Sequence, residues 1–185
     1  MTPHVAIAKW TLEDYHQMIA AGILSDRRVE LLNGEIIELP PEGEPHAYYT
    51  STVGNYLRTL LGNRAQISEG HPITIPATQS EPEPDIAVVQ PLGREYLRHH
   101  PYPENVFWLI EFSNTSLKKD SDPKARAYAA AGIPDYWIVN LQTMELIIMR
   151  DPADGCYRSQ NTLTEGTIAP IAFPDISISV RRLLD

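Results

Sequence analysis

With one cysteine in 185 residues, Cys156, the chain can form neither an internal disulfide nor a cysteine-built metal cluster. Cys156 follows Gly155 in a stretch that reads as a hairpin turn, which points to an inert surface thiol rather than a nucleophile. No apolar run approaches the ~20 residues that a spanning helix needs, which argues against a membrane partner. The first residues lack a basic segment leading into a long apolar one, so no secretory signal is read and the cytoplasm is the expected compartment. Positive charge is also scarce. Fifteen Lys and Arg against 24 Asp and Glu give a formal net charge of −9, which argues against strong indiscriminate nucleic-acid binding but leaves a nuclease open. A local basic rim stays open, with Arg94, Arg98, Lys118, Lys119 and Arg126 as its candidates and ordinary solvated residues as the alternative. What remains is 43% hydrophobic and 21% charged, the balance of a globular protein. The length suits one domain, 1–185.

The stretch from Pro84 to Lys124 carries the chemistry. Ile86–Val89 and Val106–Ile110 are apolar runs of strand length, and each has one acid at an end, Asp85 and Glu111. An ionised carboxylate taken out of water is costly unless it is paired or bound to a cation. Two acids on neighbouring strands would repel each other, and a hard divalent ion between them removes the repulsion, one or two carboxylates being the usual protein share of a Mg²⁺ site. The plainer alternatives are a turn residue at Asp85 and a structural ion pair at Glu111.

Around this stretch, Trp10–Ala21 reads as a helix capped by Thr11 and stopped by Gly22. Asn33-Gly34 between two strand-like runs is the strongest hairpin signal. Alternation puts Glu30 on the face of Leu32, either as an exposed strand acid or as a further group at the metal. His46 opens a helix over 47–61 and is read as a surface residue or as a group reaching a phosphate or a metal-bound water. Residues 67–75 read as a strand, and 91–103 as a polar connection whose adjacent His99 and His100 cannot share a face. Asp122 caps the next helix, Pro123 takes its first position, Lys124 lies in its first turn and Gly132 ends it. Residues 133–140, 144–149, 157–163 and 176–180 read as strands. Strand, helix, strand across 106–139 predicts a parallel crossover. The fold class is α/β or α+β with a central mixed sheet.

Taken together, Glu30-Leu-Leu-Asn-Gly-Glu35, the His46 helix, Pro84-Asp85, Glu111-Phe-Ser113 and Asp122-x-Lys124-x-x-x-Tyr128-Ala-x-x-Gly132-Ile-Pro-Asp-Tyr-Trp-Ile-Val resemble the Uma-two restriction endonuclease family, a branch of the PD-(D/E)xK nuclease superfamily. The resemblance spans nearly the whole chain. It implies a restriction-endonuclease-like core, a mixed sheet flanked by helices, and metal-dependent cleavage of phosphodiester bonds. Asp85 and Glu111 match the paired metal-binding acids, with Phe112 lending its backbone carbonyl. The superfamily's lysine place, two residues after the second acid, holds Ser113 here, and Lys124 is the substitute in the following helix. Glu30 matches an acid that the N-terminal region can contribute.

The resulting expectation is a DNA endonuclease using Mg²⁺ or Mn²⁺, with Asp85, Glu111 and Lys124 catalytic and Glu30, His46 and Ser113 in a second tier. The alternative is a nucleic-acid-binding or accessory domain that keeps the fold without catalysis. A homodimer would suit cleavage of both strands, since twofold symmetry matches the duplex. Tyr136 and Trp137 are read as core or as a contact surface.

Overall fold

In the computed structural model, residues 7–114 and 123–185 are described. The expected cap at Asp122 and the rim candidates Lys118 and Lys119 lie outside them.

Helix α1, Leu12–Ala20, begins with a reciprocal cap in which the Thr11 hydroxyl accepts the Asp14 amide and the Asp14 carboxylate accepts the Thr11 amide. It packs Tyr15 on Val29 and Leu31 of the hairpin formed by β1, Val29–Leu32, and β2, Glu35–Glu38. Leu32 opposes Glu35, and both turn residues have positive φ, Asn33 at 52° and Gly34 at 74°. That is the two-residue turn whose twist matches paired strands. All four residues of β1 are buried: Val29 and Leu31 pack with Tyr15, and Glu30 is covered by the Glu83 amide and Lys124. An exposed Glu30 is therefore overturned. Alternation along one strand could not reveal a cover supplied by residues more than 50 positions away.

Six strands form the central sheet: β3 Gln66–Glu69, β4 Ile86–Val89, β5 Val106–Ser113, β6 Asp135–Asn140, β7 Glu145–Ala153 and β8 Cys156–Leu163, in that spatial order. β5 and β6 are parallel, with Leu109 beside Tyr136, and the other neighbours are antiparallel. Helix α2, Glu44–Leu61, lays Val53, Leu57 and Leu61 over one face, on Ile86, Val88, Ile110 and Phe112. The short C-terminal α4, Arg181–Leu184, covers the same face. On the opposite face α3, Ala125–Ala130, sets Ala125 and Tyr128 on Ala87, Leu109 and Tyr136. Period-two alternation of β5 divides its side chains between these two layers. The crossover β5–α3–β6 is the parallel unit read from the sequence, and the class is a mixed sheet between helices.

Some boundaries differ from expectation. Helix α2 starts at Glu44 rather than 47, since Pro45 fits a first turn where its missing N–H costs nothing. Strand β3 stops at Glu69, where Gly70 takes φ 59° and turns the chain. Ile73 and Ile75, expected in that strand, are buried on the α3 side instead. The last strand, β10, spans only Ile178–Ser179 and pairs with β9, Thr167–Ile168. Tyr136 and Trp137 are both fully buried, which assigns them to the core.

Candidate active site

Asp85 stands immediately before β4. Since Ile86 opposes Ile110 in the antiparallel register, the next step along the two strands brings Asp85 beside Glu111. Its Oδ2 accepts the Phe112 amide at 2.6 Å and lies 2.9 Å from His46 Nε2 at the start of α2. The other imidazole nitrogen, Nδ1, is 2.5 Å from Glu42 Oε1. Burial alone would lower the His46 pKa, but the bonds and charges of Asp85 and Glu42 outweigh it and hold the ring above its ordinary value. His46 is thus neither a bare surface residue nor remote from the acids.

Glu111 is almost fully buried, and its Oε1 accepts two donors from one helix face. Lys124 Nζ donates at 2.8 Å and the Tyr128 hydroxyl at 3.1 Å. The two donors are four positions apart, so they stand one turn apart above the same carboxylate. The Lys124 ammonium also donates to the Glu83 carbonyl at 3.3 Å and lies 3.5 Å from Glu30 Oε2. Glu30 in turn accepts the Glu83 amide at 3.2 Å. One ammonium, 3% exposed, therefore sits between two carboxylates brought from β1 and β5. Burial raises the Glu83 carboxyl above the usual range, with Arg28 acting the other way.

These groups surround a cleft of about 260 Å³ lined by Asp85, Glu111, Phe112, Lys124, His46, Glu42, Glu83, Arg28, Asn114 and the Leu39–Pro45 loop. Ser113 is fully buried at the end of β5, where its carbonyl accepts the Leu141 amide at 2.9 Å, and it does not line the cleft. Among the described residues, Arg94, Arg98 and Arg126 of the expected basic rim do not line it. Arg98 lines a separate groove with His16, His99 and the buried Glu81, while Arg94 and Arg126 line neither. Among the described residues the cleft cations are Lys124 and Arg28.

Sequence reading missed four contributors. Tyr128 could have been found from its spacing to Lys124, Glu42 from its spacing to His46, and Glu83 from sharing a side of an extended segment with Asp85. Arg28, 14 positions before Glu42, left no local signal.

Among the described residues, no group of three or more His, Cys, Asp or Glu side chains is gathered to hold a metal. The donors present nonetheless fit a hard divalent ion that keeps water and substrate oxygens for most of its sphere. Asp85 spends Oδ2 on the Phe112 amide and His46, which leaves Oδ1 without a hydrogen bond among the described residues, on a side chain 15% exposed to the cleft. Glu111 lines the same cleft, and no thiolate is present to favour a softer metal.

Residues 12–181 match the family model Uma2, described as "Putative restriction endonuclease". The chain belongs to the Uma2 family. Membership places it in a family of nucleases, as the early resemblance implied. Among solved structures, it is similar to a "putative nuclease belonging to DUF820" from Anabaena variabilis, with TM-score 0.70 and 14% identity over 94% of this chain and 97% of that one. At that identity the likeness establishes the shared fold. The comparison with curated proteins gives no match. No helix among the described residues of this Uma2 chain is long and apolar enough to cross a membrane.

Proposed function

We infer that this protein is a metal-dependent endonuclease that hydrolyses DNA phosphodiester bonds. The observation that carries the reading is the Lys124 ammonium, delivered by α3 to within 2.8 Å of Glu111 in a cleft that Asp85 also lines. Asp85 Oδ1, Glu111 and the Phe112 carbonyl would hold Mg²⁺ or Mn²⁺. When bound, such an ion supplies Lewis-acid charge to a phosphoryl oxygen and lowers the pKa of a water.

The chain's own residues do the rest. Lys124 offsets negative charge that grows on the phosphoryl group, and its bond to Glu111 fixes the carboxylate's orientation. Tyr128 holds the same oxygen from one turn further along α3. Glu30 anchors the ammonium from the opposite side. His46 fixes Asp85 Oδ2, so that Oδ1 is the oxygen turned to a ligand. The water oxygen forms the new P–O bond and gives up one proton to solvent, the bond to the leaving sugar oxygen breaks with its electron pair, and that oxygen takes a proton from solvent, so one water is added across the bond. Ser113 is given a structural part only, holding the end of β5 to the start of the β6–β7 connection.

Plasmid nicking in Mg²⁺ or Mn²⁺ tests the reading. Asp85→Asn, Glu111→Gln and Lys124→Met should each abolish cleavage while retaining the native circular dichroism spectrum. Full cleavage by any folded variant removes that residue from the mechanism. DNA binding with no nicking by the wild type in either metal would instead support a catalytically silent binding domain.

A further inference from the structure

Four carboxylates, Glu42, Glu83, Asp85 and Glu111, face the cleft in a chain that already carries a net charge of −9. A polyanion entering this cleft needs a cation that is free to meet it. Lys124 is poorly suited, being 3% exposed and already donating to Glu111 and the Glu83 carbonyl. Arg28 differs on each count.

Its side chain is 45% exposed, and it stands just before β1 at the cleft mouth. The two carboxylates flanking it, Glu42 and Glu83, are each 3.8 Å from the nearest guanidinium nitrogen. That separation allows Coulomb attraction but is too long for a hydrogen bond. The guanidinium is thus held beside two acids of the cleft without spending its donors on them. A planar fork with five N–H groups then remains for a phosphate, whose oxygens it can take two at a time. Pro40, Pro41 and Pro45 line the same cleft, and their fixed φ angles limit the movement of that segment.

We propose that Arg28 is the substrate-positioning residue of the cleft, gripping a backbone phosphate of the nucleic-acid strand next to the one that is cut. The proposal rests on the nuclease reading above and adds to it a specific contact with the strand. Glu42 and Glu83 keep the guanidinium at the mouth, and an incoming phosphate, which hydrogen-bonds where they do not, draws it onto the strand. A phosphate contact of this kind fixes register without reading sequence. Its signature is therefore electrostatic. Each phosphate neutralised on a duplex contributes about 0.9 to the slope of log affinity against log salt concentration.

The experiment is fluorescence anisotropy of a short labelled DNA duplex with the full chain over a series of NaCl concentrations, with Ca²⁺ present. Wild type, Arg28→Ala and Arg28→Lys are compared. Arg28→Ala should bind more weakly and flatten the salt slope by about 0.9. Arg28→Lys should restore the slope, because the charge returns, while falling short of wild-type affinity, because the fork does not. In nicking assays Arg28→Ala should raise KM and leave kcat near wild type. Equal melting temperatures of the three proteins confirm that the fold is kept, as expected for a half-exposed side chain. Parallel salt plots for wild type and Arg28→Ala overturn this proposal while leaving the nuclease reading intact. Absence of duplex binding by the wild type overturns both.

Discussion

Lys124 lies between two buried acids, and that arrangement ties activity to stability. Removing one partner from a buried ion network is strongly destabilising, by about 3–5 kcal/mol. Lys124→Ala should therefore lower unfolding stability by that amount in urea denaturation, well beyond the effect of an exposed lysine. A drop under about 1 kcal/mol, the range of surface pairs, would mean that the ammonium is not the group neutralising Glu30 and Glu111. The His46 pKa gives a second measurement. Because it is raised above the unfolded value of about 6.5, the protonated ring contributes stability that is fully present below pH 6.5. That contribution is lost as pH rises through the folded pKa. Wild-type melting temperature should fall more steeply than that of His46→Gln above pH 6.5, and parallel curves would contradict the Asp85 and Glu42 contacts.

At the level of elements, the site depends on where three segments end. Glu111 is the sixth residue of β5, Asp85 precedes the first of β4, and Lys124 precedes the first of α3. The Asn33-Gly34 turn sets the register that carries Glu30 inward. Gly34 has φ 74°, and a Cβ added there would lie 3.0 Å from Lys9 Cβ and 3.1 Å from the Trp10 carbonyl oxygen. Gly132 shares the left-handed backbone, with φ 75°, but a Cβ there meets open space. Gly132→Ala should thus cost only the backbone term, about 1–2 kcal/mol. Gly34→Ala should cost more, because the steric term adds. Equal losses in paired denaturation curves would show that the hairpin end yields freely.

For the molecule as a whole, a ligand that binds only the folded chain raises its stability by mass action. Mn²⁺ at one hundred times its dissociation constant should add about 2.7 kcal/mol, read as a higher melting temperature. Asp85→Asn should lose that increment. An unchanged wild-type melting temperature across a Mn²⁺ titration would remove the metal from the proposal. The three-layer arrangement explains how one ion would matter to the entire chain: β1, β5, α2, α3 and the residue just before β4 all supply groups to the cleft or to its supporting bonds.

Local chemistry was readable in the letters. Thr11 and Asp14, Asn33-Gly34 and the apolar runs of β4, β5 and β6 each specify a cap, a turn or a strand through neighbours a few residues away, so the helix–sheet–helix class was legible. The crossover was legible too, because a strand followed by a short helix and another strand has few ways to pack. Asp85 and Glu111 stood out because an acid beside a buried run is costly. Long-range covering and convergence belonged to tertiary structure alone. Whether Glu30 faces water depends on Glu83 and Lys124, and whether Arg28 or Arg98 reaches the cleft depends on how the chain folds around the sheet. Burial and electrostatic pairing are properties of distance in space, and side chains 50 or 80 positions apart acquire them only when the sheet has brought their backbones together.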